Sequence, residues 1–253
     1  MTAADYAQTP DQPAGFAERL IRTQTLIATI ASDYAPAVFA SSLAAEDMVV
    51  TDLILTNQLP IAVFSLETGR LPKETLDVID QVRQRYHYSI QLYYPDPVAV
   101  AEYVESNGLN GFYDSVDLRK KCCQIRKVEP LGRALAGKKA WLTGQRRSQS
   151  ATRTHLEVEE QDSVHGLVKF NPLADWSEDD VWYYLRSHKV PYNALHDAGY
   201  PSIGCAPCTR AIQPGEDIRA GRWWWETPES KECGLHVVDG KLVRIGKSTA
   251  HPA

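Results

Sequence analysis

The chain predicts an α/β fold: a parallel sheet flanked by helices in a single domain. Three observations predict it. Short apolar runs at 37–40, 61–65, 89–94 and 140–143 alternate with helix-patterned stretches, the signature of strands joined by crossover helices. The 253 residues, 43% hydrophobic and 23% charged, supply one large core of ordinary globular composition. Serine- and glycine-bearing polar turns follow three of the apolar runs, where parallel sheets present ligands.

The elements follow in order. Phe16, Leu20, Thr23, Leu26, Ile27 and Ile30 recur at helical spacing, giving an amphipathic opening helix over 15–34. A strand over 37–40 leads to a helix over 45–57, and a strand over 61–65 to a helix over 72–86. Pro72 stands near that helix's first turn, where a missing N–H costs little. Next come strand 89–94, helix 97–106, a helix through Cys122 toward Leu135, and strands at 140–143 and 167–170. Ser177 is a good N-cap for the helix of Trp182, Tyr183 and Leu185, and the acids 178–180 favour its positive end. From Pro201 onward the chain is loop-rich, and its last thirteen or so residues read as mobile. This divides the chain into an N-terminal helical segment (1–34), an α/β domain (35–215) and a mobile C-terminal arm (216–253).

Net charge is −5, which argues against non-specific nucleic-acid binding. No run reaches the ~18 apolar residues of a membrane span, and residues 1–6 lack the features of a secretory signal. A cytoplasmic location is expected. There thiols stay reduced, so grouped cysteines read as metal-binding or catalytic.

The turn 41–47 (Ser-Ser-Leu-Ala-Ala-Glu-Asp) combines hydroxyls and small residues at a helix N-terminus, as an anion site would. As a sequence it is equally a capped polar loop. Turn 65–70, with Glu67, Thr68 and Gly69, holds the equivalent strand-end position; its structural alternative is a turn with Gly69 at positive φ. Turn 144–150 offers Arg146 and Arg147 as bidentate anion ligands. Arg219 and Arg222, three apart, share a face if helical, and Trp223–Trp225 read as packing anchors.

Five cysteines carry the most chemistry. Cys205 and Cys208 form a C-x-x-C loop, Cys122 and Cys123 are adjacent, and Cys233 stands alone. Four ligands plus one nucleophile is the working hypothesis. Neighbouring helical side chains point about 100° apart, so both members of the pair reach one centre only if it is bulky or the helix is distorted. A cubane iron–sulfur cluster fits that better than one zinc ion. Lys127 lies four residues after Cys123, placing an ammonium beside the thiolates. Arg219, Arg222, Lys231 and His236 are positioned to lower the pKa of Cys233.

Together the segments 41–47, 65–70, 122–131, 144–153, 203–210, 219–226 and 231–236 resemble the assimilatory adenylyl-sulfate reductases of the phosphoadenylyl-sulfate reductase family. The resemblance implies an adenine-nucleotide α-hydrolase-like, PP-loop-type fold. It implies one [4Fe–4S] cluster per subunit on Cys122, Cys123, Cys205 and Cys208, and Cys233 as the catalytic cysteine. Ser41, Ser42, Glu67, Thr68, Gly69, Lys127, Arg146, Arg147, Arg219 and Arg222 are the expected substrate contacts. The implied reaction is reduction of adenylyl sulfate (APS) to sulfite and AMP through a cysteine S-sulfonate, in sulfate assimilation and cysteine biosynthesis. Thioredoxin or a similar dithiol protein is the expected electron donor, with neither nucleic acid nor membrane as a partner. The sequence does not set the oligomeric state, and a homo-oligomer stays open.

The first turn departs from the lineage's S-G-G-x-D-S by lacking both glycines. A sulfur-inserting, ATP-using relative acting on tRNA should keep them and carry a basic surface. A zinc- or iron–sulfur-binding module would give no reason for the fifth cysteine.

Overall fold

A computed structural model describes residues 11–149 and 155–227. The secondary structure runs α1 (Phe16–Asp33), β1 (Ala37–Ala40), α2 (Ala45–Thr56), β2 (Ile61–Leu66), α3 (Lys73–Tyr86), β3 (Gln91–Tyr93), α4 (Pro97–Asn107) and α5 (Val116–Cys123). It continues with α6 (Glu129–Leu135), β4 (Ala140–Leu142), β5 (Glu159–Asp162), β6 (Leu167–Phe170) and α7 (Glu178–Ser187). The six strands lie in the order β3-β2-β1-β4-β6-β5.

Successive strand residues point to opposite faces, and each strand uses the alternation to build two cores. Phe39, Val63, Leu142 and Phe170 face a large core closed by Ile27 and Ile30 of α1, Met48 and Leu53 of α2, Val78 of α3, and Val181 and Leu185 of α7. Their neighbours Val38, Phe64, Trp141 and Leu167 face a smaller core under Leu131, Ala134 and Leu135 of α6. The sheet is therefore covered on both faces, as the alternation of elements predicts.

The pairings β1–β2, β1–β4, β2–β3 and β4–β6 are parallel, but β5 runs antiparallel to β6. The sheet is thus parallel as expected across β1, β2, β3, β4 and β6, with β5 as an antiparallel addition at the edge. The segment Glu159–Asp162 is entirely polar, so it gives no apolar signal; charge suits an edge strand, which must not recruit further strands. The helix through Cys122 also differs from expectation. It is broken after Cys123 by a π-helical turn, Gln124–Val128, before α6 resumes. Ser177 caps α7 as predicted, in a reciprocal box with Asp180, whose buried carboxylate also holds Arg19 of α1 at 2.7 and 3.0 Å.

From β1 the chain steps outward to β2 and β3, then returns past β1 to β4. Strand order reverses between β1 and β4, which opens a crevice at their carboxyl ends.

Candidate active site

A cleft of about 270 Å³ occupies that crevice. Its walls come from the turns after β1, β2 and β4, from Lys127, and from residues of the segment 201–223. Lys127, Arg219 and Arg222 all line it. The two arginines are not on a helix: they sit in a turn, with the Arg222 N–H donating to Arg219 O at 2.9 Å. The Arg222 guanidinium is anchored by Ser202 Oγ (3.3 Å) and Ile203 O (3.1 Å), and lies 4.7 Å over Trp223. Arg119 flanks the same indole, also at 4.7 Å, so Trp223 is a packing anchor as expected.

Behind this cationic wall is a smaller cavity lined by Cys122, Cys123, Cys205 and Cys208, and by Arg119, Arg126, Lys127 and Trp223. The fold thus gathers four thiols from two segments about eighty residues apart. Lys127 and Trp223 border both spaces. Burial raises the Cys122 thiol pKa, and Arg126 and Lys127 oppose the rise. Cys208 is pushed up to about 12, by burial first and then by Cys205, again against Lys127. Thr68 Oγ1 lies 3.3 Å from Cys205 Sγ, and Arg126 donates to Thr68 O at 2.6 Å, which ties the turn after β2 to the cysteines. Arg119, fully buried, is clasped at 2.8 Å by both carboxylate oxygens of Glu226. Among the described residues, no three His, Cys, Asp or Glu side chains form a group that could hold a metal ion. Cys233, Lys231 and His236 lie outside the described residues.

The strand-end turns are less open to anions than their sequences suggest. In the first, the Ser42 N–H and Oγ donate to Asp47 Oδ2 at 2.6 and 2.5 Å. The Leu43 N–H donates to Ser41 Oγ (3.2 Å), and the Ala45 N–H to His196 Nε2 (3.2 Å). Leu43 takes φ 64°, the left-handed conformation a glycine would adopt, while its side chain is wholly buried. The lost glycine thus changes the residue and keeps the bend.

In the second turn, Glu67 Oε1 accepts from the Gly69 N–H, and Gly69 sits at φ 71°, so this pair forms a turn; neither residue lines the cleft. Thr68 does line it. In the third turn the adjacent arginines part company. Arg146 lines the cleft but is held by Glu46 at 2.7 and 3.0 Å, whereas Arg147 turns away to Asp175 and the Leu156 carbonyl. The expected bidentate arginine pair is not formed.

Sequence reading gave no role to Asp47, Glu46, His196 or Arg119. Burial, the largest influence, pushes the Asp47 carboxyl up to about 6, against the hydrogen bonds from Ser42 and with Glu46 adding to the rise. Burial also works to raise Glu46, but the charge and hydrogen bonds of Arg146 outweigh it and hold Glu46 below its ordinary value. Burial depresses His196, consistent with a neutral imidazole accepting at Nε2.

The phosphoadenosine phosphosulfate reductase domain covers residues 36–211. The chain is 58% identical to the adenosine 5'-phosphosulfate reductase of Burkholderia cepacia over 236 residues, 93% of each chain. It is 59% identical to that of Allochromatium vinosum over 228 residues, 90% of this chain and 88% of the relative. Among solved structures it resembles the phosphoadenylyl-sulfate (PAPS) reductase of Candida auris, in a phosphate complex, with a TM-score of 0.65 and 25% identity across 81% of this chain and all of that one. The FMN adenylyltransferase of Candida glabrata shares the fold, with a TM-score of 0.52 across 94% of this chain and 85% of that one, at 15% identity. Fold and sequence agree: the chain belongs to the phosphoadenosine phosphosulfate reductase domain family.

Proposed function

We propose that the protein reduces adenylyl sulfate to sulfite and AMP, with Cys233 as nucleophile and a thioredoxin-like dithiol protein as electron donor. The observation that carries this reading is the wall shared by cleft and cysteine cavity. Lys127 faces both spaces, and Arg219 and Arg222 stand beside it. These three cations suit the negatively charged phosphosulfate, and relatives at 58–59% identity bear the adenosine 5'-phosphosulfate reductase name.

The Cys233 thiolate attacks the sulfonyl sulfur, the bond from sulfur to the phosphate oxygen breaks, and AMP leaves as a stabilised anion. One thiolate of the donor then attacks Cys233 sulfur and expels sulfite, leaving a mixed disulfide. The donor's second thiol resolves it, returning the Cys233 thiol and a donor disulfide. Lys127, Arg219 and Arg222 neutralise charge on the bridging and phosphate oxygens as that bond breaks.

Cys122, Cys123, Cys205 and Cys208 would hold a [4Fe–4S] cluster. The donor set fits: four thiols from two segments line one cavity, and thiolates are the ligands such a cluster takes. Arg119, Arg126 and Lys127 in the cavity wall would balance thiolate charge, and the π-helical turn after Cys123 supplies the helix distortion that adjacent ligands need. When bound, the cluster would supply electrostatic coupling to the substrate through Lys127. No helix among the described residues is long and apolar enough to cross a membrane. The reading places the protein in the cytoplasm, in sulfate assimilation and cysteine biosynthesis.

The test is sulfite formation from adenylyl sulfate with thioredoxin supplied, alongside the visible spectrum of the purified protein. Sulfite and a brown protein support the reading. A colourless, zinc-loaded protein that makes no sulfite would leave only a metal-binding module.

A further inference from the structure

The turn 222–226 carries more restraint than a surface loop needs. Trp223 takes φ 41°, a left-handed conformation that a bulky residue rarely adopts, so its surroundings must hold it there. Its N–H donates to Cys208 O at 3.1 Å, and its carbonyl accepts from the Glu226 N–H at 2.9 Å. Trp225 packs on Tyr113 with ring centroids 4.4 Å apart. The strongest restraint is an ion pair. Both carboxylate oxygens of Glu226 accept from Arg119 at 2.8 Å, and the two side chains are 3% and 0% exposed.

An ion pair this deeply buried is a costly way to close a turn. Taking two charges out of water offsets most of their attraction, and apolar packing of the same volume would close the turn as well. What the pair joins explains its use. Arg119 stands in α5 four residues before Cys123, on the same helical face, and lines the thiol cavity. Glu226 stands seven residues before Cys233. That length of chain reaches at most about 25 Å when extended, so the point at which Glu226 is fixed sets the volume the Cys233 thiol can search. A tether fixed at its root raises the effective concentration of its cargo at one place, and a loose root dilutes it. The Arg222 guanidinium is held separately, by Ser202 Oγ and Ile203 O.

Building on the adenylyl-sulfate reading, we propose that Arg119 and Glu226 are positioning residues: their buried clasp fixes the root of the segment that carries Cys233, and so aims that thiol at the cationic wall of the cleft.

The test follows the rate of sulfonate formation on Cys233 by mass spectrometry, after mixing the purified holoenzyme with saturating adenylyl sulfate and no reductant. AMP affinity and iron content are measured on the same samples. Glu226→Gln keeps the side-chain shape and removes the charge. It should slow adduct formation about ten- to a hundredfold, with iron content unchanged and AMP affinity within about threefold. Glu226→Asp keeps the charge and draws the carboxylate back by one methylene. It should slow the adduct at least about threefold, and it carries the test if the Gln variant does not fold. A rate within about twofold of the wild type overturns the positioning role and leaves the adenylyl-sulfate reading standing. So does a slower rate matched by an equal loss of iron or of AMP affinity, which marks the clasp as a fold element only. A wild type that binds AMP yet forms no adduct on Cys233 removes that reading, and this inference with it.

Discussion

Among single residues, position in the cleft separates cations that the sequence presents as equals. Lys127, Arg219 and Arg222 line it, and Arg147 does not. Replacing any of the first three by Ala should weaken AMP binding roughly ten- to a hundredfold, the loss of one charge-assisted hydrogen bond of about 1.5–3 kcal/mol. Arg147→Ala should leave it within about twofold, as expected for an exposed ion pair. Titration calorimetry on the four variants checks the ranking. Asp47 makes a second prediction. Its folded pKa, about 6, lies above its ordinary 3.8, so the folded state holds the proton more tightly. Its contribution to stability is complete below pH 3.8 and is lost as pH rises through 6, by up to about 3 kcal/mol. The stability of Asp47→Asn should therefore fall less than that of the wild type between pH 4 and 7; Glu46, Arg146 and His196 are common to both and cancel. Parallel denaturation curves would contradict the buried-acid account. The grouping of Cys122, Cys123, Cys205 and Cys208 around one cavity was legible in residue type and spacing. Asp47 was not, since what distinguishes it is a partner nearly a hundred residues away, Gly144, against whose backbone it folds.

At the scale of elements, apolar patterning marked α1, α2, α3, β1, β2 and β6 closely: α1 and α3 bury one face in a core, while α2 is buried nearly all round and the strands are short apolar runs. It failed on β5, whose polar residues carry no period-two apolar signal, and on the π-helical turn, which local sequence does not announce. The N-terminus of α7 was readable from Ser177 and the acids 178–180 that follow it. Ser177→Ala should lower stability by about 0.5–2 kcal/mol while leaving AMP affinity within about twofold, because Ser177 itself does not line the cleft. Chemical denaturation measures the first and calorimetry the second. The cysteine-bearing elements give a sharper expectation. Cys205→Ser should bleach the protein and abolish sulfite production, because Cys205 belongs to the proposed ligand set and touches Thr68. Four irons per chain with full activity in that variant would remove Cys205 from the ligands.

At the scale of the molecule, the sheet's change of strand order opens a cleft lined by Lys127, Arg219 and Arg222, and a cavity of four thiols shares Lys127 and Trp223 with it. The account needs one more group, a nucleophile that reaches these cations and later meets the donor, and it assigns that role to Cys233. The direct measurement is intact-protein and peptide mass spectrometry after mixing the purified protein with adenylyl sulfate and no reductant. One sulfonate should appear on Cys233 with one equivalent of AMP released, and thioredoxin should then remove it as sulfite. Cys233→Ser should stay brown, still bind AMP and form no adduct. A sulfonate on any other residue, or normal turnover by the Ser variant, would contradict the account.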